Sequence, residues 1–181
     1  MASQVLDITR RMRADWVVGH LFGNAPAVAM KEFKKNGFPL GRVVSLVPGT
    51  AEEGMKAAGW DTAQGYLGMH FAGVGRDFPV IQGMIKMYQA ENQEVPEYVG
   101  WVSYNWGVFI AALMVEGIRL AIAQEGLPVT GEKVKKGYEH LKDFTLGGFL
   151  PSLTVMPEDH EGGGWVRIYQ TKGEKLVPVT D

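Results

Sequence analysis

The stretch "PEDHEGGGWVRIYQTKGEKLVPV", Pro157–Val179, decides between a chemical site and a piece of scaffold. Glu158, Asp159 and Glu161 crowd His160, and Gly162, Gly163 and Gly164 follow. As a metal site it is poor. Neighbouring side chains on an extended or turning backbone point different ways, and four positions after His160 stands Gly164 rather than the second histidine of an H-E-x-x-H helix. His20, His70 and His140 fall on other predicted elements. As a phosphate cradle the glycines should open a helix, yet "WVRIYQ" alternates like a strand. What remains is a turn in which glycine supplies positive φ and Asp, His and Glu make local hydrogen bonds. The turn leads into Val166 and Ile168, then Leu176, Val177 and Val179 around Lys172-Gly173, the pattern of a β-hairpin.

Working upstream, "TGEKVKKGYEHLKDF" predicts a polar helix with Thr130 as its N-cap. "YVGWVSYNWGVFIAALMVEGIRLAIAQEG" predicts a long helix, apolar almost all round and closed by Gly126. Its apolar run Trp106–Ala123 is broken by Glu116 and Arg119 and falls short of the ~20 residues a bilayer requires, so no membrane insertion is expected. Before Pro96 the texture is different. Short apolar runs, Asp15–Phe22, Arg42–Val47 and Gly65–Gly73, alternate with helical patterns: one through Val5, Ile8 and Met12, one through Val28, Met30 and Phe33, one opening at Thr50 and Glu53, and one over Pro79–Asn92. Such alternation implies a parallel sheet with right-handed crossovers. A boundary near Glu94–Glu97 is expected to act as a hinge.

Composition narrows the function classes. The 181 residues carry a formal charge of -2, with no basic face for nucleic acid. Lys31, Lys34 and Lys35, and Lys133, Lys135 and Lys136, read as solvated helix faces. The absence of cysteine excludes thiolate nucleophiles, disulfides and thiolate metal sites. No cofactor is expected. "GVGR", Gly73–Arg76, follows a strand but lacks the third glycine and the later acid of a dinucleotide site. The N-terminal "MASQVLDITRRMRADW" has no apolar core of signal-peptide length and reads as an amphipathic helix.

Four phrases together, "ADWVVGHLFGNAPAVAMKEFKKNGF", "YVGWVSYNWGVFIAALMVEGIRLA", "TGEKVKKGYEHLKDF" and "PEDHEGGGWVRIYQTKGEKLVPV", resemble the C-terminal half of a periplasmic substrate-binding protein. The type is that of the branched-chain amino acid (leucine/isoleucine/valine-binding) ABC importers. The resemblance implies an α/β, type I periplasmic-binding-protein fold, a parallel sheet flanked by helices. It implies residues 1–95 as a second-lobe segment, 96–162 as helices returning to the first lobe, and 163–181 as strands returning to the second. It also implies a periplasmic location, a small-molecule ligand, a membrane permease as partner and no catalytic activity.

Open parallel sheets offer ligands the loops at the carboxyl ends of their strands, here His20–Ala25, Ser45–Thr50 and His70–Arg76. The resemblance points within them to Phe22, Asn24, Ser45 and Val47, with Tyr104 near the expected hinge. Amino-acid-specific members tend to hold a tyrosine and an acid where Phe22 and Val47 stand. An aromatic or aliphatic carboxylate, or an amide, therefore joins amino acids as a candidate ligand. The alternatives are a ligand-sensing regulator on the same scaffold and a small α/β enzyme using His160 with Asp159 or Glu161. The helix Gly100–Gln124 is expected to leave apolar surface uncovered, which would drive a homodimer or a domain swap.

Overall fold

The structure is a computed structural model that describes residues 1–180. It divides into two units, one formed by residues 1–70 with 167–180 and the other by Phe71–Val166.

The first unit is the α/β part. Strands β1 (Val17–Gly19), β2 (Val43–Ser45) and β3 (Leu67–His70) run parallel, and β4 (Arg167–Lys172) and β5 (Lys175–Pro178) complete the sheet antiparallel, in the order β1-β2-β3-β4-β5. The sheet is therefore mixed: the first three strands are parallel neighbours joined through helices, and the C-terminal hairpin adds the reversed edge. His70, last in β3, pairs with Arg167, first in β4, so the chain leaves this unit and re-enters it at one cross-strand pair.

One helical layer covers the face carrying Val17, Val43 and Tyr66. Helix α1 (Ala2–Leu6) runs on through a wider turn over Asp7–Arg11, and α2 (Ala25–Lys35), α3 (Glu52–Ala58) and the one-turn α4 (Trp60–Ala63) follow. Val5, Met30, Phe33, Met55 and Tyr66 are all nearly inaccessible in the core beneath them. Each of these side chains contributes roughly 1.5–3 kcal/mol by leaving water, and Met30 and Phe33 stand three apart because one face of α2 supplies them. Lys31 and Lys34 do not lie free on the solvent face. Their ammonium groups donate to the carbonyls of Ala57 and Asp61, at 2.8 and 2.7 Å, tying α2 to the ends of α3 and α4. Thr50 is not the helix cap that its spacing to Glu53 suggests. It is 1% exposed, and α3 begins after Ala51 without a side-chain cap.

The second unit is built from helices α5 (Pro79–Ala90), α6 (Val102–Glu125) and α7 (Gly131–Glu139). Thr130 caps α7, accepting from the Lys133 amide at 3.3 Å. Helices α6 and α7 approach closely because glycines face each other. A Cβ on Gly137 would fall 2.2 Å from the Gly117 carbonyl oxygen. Helix α5 packs here, through Phe78, Val80 and Ile81, with Val99, Val108, Phe149 and Leu150, whereas the sequence reading groups it with residues 1–95.

At 24 residues α6 is longer than the apolar run suggested, and by length and composition alone it would reach across a bilayer. The added length comes from a polar first turn with Ser103 and Asn105 and from Gln124 and Glu125 at the other end. Glu116 and Arg119 form a two-point ion pair on its surface, with contacts of 2.8 and 2.7 Å.

Candidate functional site

The carboxyl ends of β1 and β2 meet because the strands are parallel neighbours in register, Gly19 opposite Ser45. The Leu46 amide donates to the Gly19 carbonyl at 2.8 Å, and the Gly49 amide closes a turn onto the Leu46 carbonyl at 2.9 Å. Gly49 sits so tightly that a Cβ there would lie 1.9 Å from Ser45 Oγ and 2.8 Å from the Leu21 carbonyl oxygen. The two loops are therefore packed against each other and present one surface. Phe22 is 65% exposed on it, its ring edge-on to His20 with centroids 6.0 Å apart, and Asn24 lies exposed just before α2. Val47 is half-buried ahead of a cis Val47–Pro48 bond. Ser45 is fully buried, and its hydroxyl turns inward to the carbonyls of Leu46 and Gly19, at 3.0 and 3.4 Å. The surface that these loops present is thus an aromatic ring, an amide and a branched aliphatic side chain, with no charge among them.

Beneath it lies a polar seam. Thr50 fills the space over Gly68, where a Cβ would stand 2.0 Å from Thr50 Oγ1. Ser45, Thr50, His70 and Thr171 are all at most 1% exposed. The His70 ring stands edge-on to Tyr169 with centroids 5.5 Å apart. Burial holds its pKa down to about 4, partly offset by a backbone hydrogen bond with Thr50, and burial likewise pushes the Tyr66 phenol up.

In the second unit the Gly73–Arg76 loop is a tied structure. Asn105, fully buried in the first turn of α6, donates its amide to the carbonyls of Gly73 and Gly75 at 2.8 and 3.0 Å. The Arg76 guanidinium donates to the carbonyls of Val99, Pro96 and Glu97 at 2.7 to 3.0 Å, and the Gly75 amide donates to Gly100. Arg76 spends its donors on the segment before α6. No local signal in the sequence marks it for that task. Tyr104 is half-buried, its hydroxyl 3.5 Å from Met84 Sδ on α5 and its ring 5.9 Å from that of Tyr98. Burial raises its pKa, with Tyr88 and Tyr98 adding to the effect.

The stretch around His160 has the form of a turn. Asp159 Oδ1 accepts the Glu161 amide at 2.9 Å, and of the three glycines only Gly162 takes a positive φ, +73°. His160 Nε2 lies 3.0 Å from Glu139 Oε1, and Lys135 pairs with the same carboxylate. Lys135 first, then His160, holds the Glu139 carboxyl below its ordinary range. Asp159 faces its own turn, so His160 is not oriented by an acid of its own stretch. Among the described residues no group of three His, Asp or Glu side chains is gathered as a metal ion would require.

The family model described as "Periplasmic binding protein" matches residues 1–175. Solved structures are similar over the whole chain. One, described as an ABC transporter permease from the Pseudomonas fluorescens group, is 30% identical with a TM-score of 0.88; the match covers 99% of this chain and 46% of that one. A branched-chain amino acid ABC transporter protein from Thermus thermophilus, with bound valine, is 22% identical with a TM-score of 0.81 over 100% of this chain and 49% of that one. A leucine-binding protein from Thermotoga maritima is 14% identical with a TM-score of 0.70, over 99% and 48%. The chain therefore spans about half the length of the structures it matches. No curated protein matches its sequence.

Proposed function

Since the chain belongs to the periplasmic binding protein family over residues 1–175, we propose that it forms part of the solute-binding component of an ABC importer. The family match along nearly the whole sequence carries this reading, and the paired loops at the carboxyl ends of β1 and β2 support it as the place where ligand is held. Phe22, Asn24 and Val47 are the contacts from the first unit. Ser45 acts from below by fixing the loop rather than by touching ligand. The ligand is a small molecule with an apolar or amide-bearing portion: an aromatic or aliphatic carboxylate, an amide or an apolar amino acid. The working protein is periplasmic and non-catalytic, and its liganded form docks on a membrane permease.

In this reading the strand-bearing unit is the second-lobe part. The helices of Phe71–Val166 belong to the first lobe, with the expected division at 95/96 moved to the unit boundary after His70. Helix α6 keeps Ile110, Met114, Val115, Ile118 and Ile122 exposed along one side. Dimerisation or a domain swap would bury this stripe. Thermal-shift screening of amino acids, aromatic acids and amides tests the ligand reading. A saturable rise in melting temperature, lost in Phe22→Ala, is expected; a melting temperature indifferent to all three classes would overturn it.

A further inference from the structure

The loop Ser45–Thr50 carries half-buried Val47 in its middle and returns to the core at its end, where Gly49 and Thr50 are both buried. Two backbone bonds hold its first part. The Leu46 amide reaches the Gly19 carbonyl at 2.8 Å, and the Gly49 amide reaches the Leu46 carbonyl at 2.9 Å. The last residue, Thr50, is held by the shape of what lies under it.

Beneath Thr50 the sheet carries no side chain. Gly68 stands inside β3, paired with Ser45 of β2 on one side and Tyr169 of β4 on the other. Glycine weakens a strand interior, and where it stands it often marks a close approach from above. A Cβ on Gly68 would lie 2.0 Å from Oγ1, 2.3 Å from Cβ and 2.7 Å from Cγ2 of Thr50, which together are the whole Thr50 side chain. The φ of Gly68 lies outside the left-handed region, so it is the space and not the backbone that requires glycine there. His70, two residues on along the same face, shares a hydrogen bond with the Thr50 backbone. Thr50 Oγ1 has no hydrogen-bond partner among the described residues. A buried hydroxyl without a partner is a cost, so what the Thr50 side chain contributes is its fit.

We propose that Thr50 is a positioning residue for the ligand surface: seated in the gap that Gly68 leaves, it sets the height of the Ser45–Thr50 loop and with it the reach of Val47, without touching ligand. This rests on the reading that the loops after β1 and β2 hold ligand. Contacting side chains are effective only when the residues beneath them lock them in place. Filling the gap from below lifts Thr50 and frees the loop, while the ladder between β3 and β4 stays paired, because a Cβ on Gly68 stands over the sheet and not in its hydrogen-bond plane.

The test is amide exchange read residue by residue, without ligand, on the protein in the form expressed from its own gene. In Gly68→Ala the Leu46 and Gly49 amides are expected to exchange about tenfold faster, while the Thr171 amide, bonded to the Tyr66 carbonyl at 2.9 Å, keeps its rate. A general loss of stability would speed all three alike. In a Thr50→Gly background the same Gly68→Ala change meets none of those three atoms and is expected to add nothing to the loop rates. If Gly68→Ala fails to fold, Thr50→Ala and Thr50→Val decide: alanine opens the gap and frees the loop amides, whereas valine fills it and keeps them protected. Calorimetry with benzoate, L-leucine and benzamide reads the consequence for binding. Any of these that binds the parent is expected to bind Gly68→Ala about tenfold more weakly. The proposal is overturned if the loop amides speed no more than Thr171 does, if Thr50→Ala and Thr50→Val behave alike, or if a bound probe ignores a freed loop. Where no probe binds the parent, it is the ligand reading that fails, and the exchange rates still decide whether Thr50 holds the loop.

Discussion

Replacing Gly137 with alanine tests whether the second unit is held by glycine contact between α6 and α7. The new Cβ would stand 2.2 Å from the Gly117 carbonyl oxygen, 2.8 Å from the Ala121 amide nitrogen and 3.1 Å from Ala121 Cβ. The first two are backbone atoms of α6 and cannot rotate away. Carbon and carbonyl oxygen ordinarily approach to about 3.3 Å, so the helices must part by roughly 1 Å. Alanine gains about 0.5–1 kcal/mol over glycine inside a helix, while overpacking of this kind costs about 1–3 kcal/mol. The net expectation is a loss of about 1–2 kcal/mol. Gly107→Ala in α6 is the control, because a Cβ there meets nothing within 4 Å and only the gain remains. Urea unfolding followed by helical circular dichroism should therefore move in opposite directions for the two variants. If Gly137→Ala stabilises as much as Gly107→Ala, the close crossing is wrong.

His70, held near a pKa of about 4 by burial against an ordinary 6.5, makes the first unit acid-labile. The unfolded chain binds the proton first, so stability is full above about pH 6.5, falls as pH drops toward 4, and loses on the order of 3 kcal/mol. His70→Gln should flatten that slope in unfolding midpoints measured across the range; an unchanged slope refutes the assignment. Asn105→Ala strips the Gly73 and Gly75 carbonyls of their shared donor and should cost about 1–3 kcal/mol, read by thermal unfolding. His160→Ala should leave ligand binding intact and shift stability by less than about 1 kcal/mol, because its link to Glu139 is a surface pair. A large loss of ligand binding or of any turnover would revive a chemical role for it.

Much of the first unit was legible because its signals are local. Val17, Val43 and Leu67 sit in short apolar runs with helical patterns between them, and Lys172-Gly173 marks the hairpin turn. The dismissal of His160 also rested on local geometry, since Gly164 stands where a second ligand would be needed. Thr50 misled because a capping spacing says nothing of what lies overhead, and Gly68 opens a space that Thr50 fills. The grouping of α5 was hidden for a related reason. Pro96 is a visible break in the sequence, whereas α5 is assigned by long-range packing of Ile81 against Phe149 and its neighbours. The roles of Arg76 and Asn105 were hidden because backbone carbonyls, which carry no sequence signature, are their partners.

We propose that this family member holds a small, partly apolar solute at the loops after β1 and β2. Calorimetric titration of the protein, in the form expressed from its own gene, with the best compound from the thermal-shift panel tests it most directly. The prediction is a saturable one-to-one isotherm that Phe22→Ala weakens about tenfold while leaving the unfolding midpoint in place, Phe22 being an exposed side chain. An isotherm untouched by Phe22→Ala, or no binding across amino acids, carboxylates and amides, would contradict it.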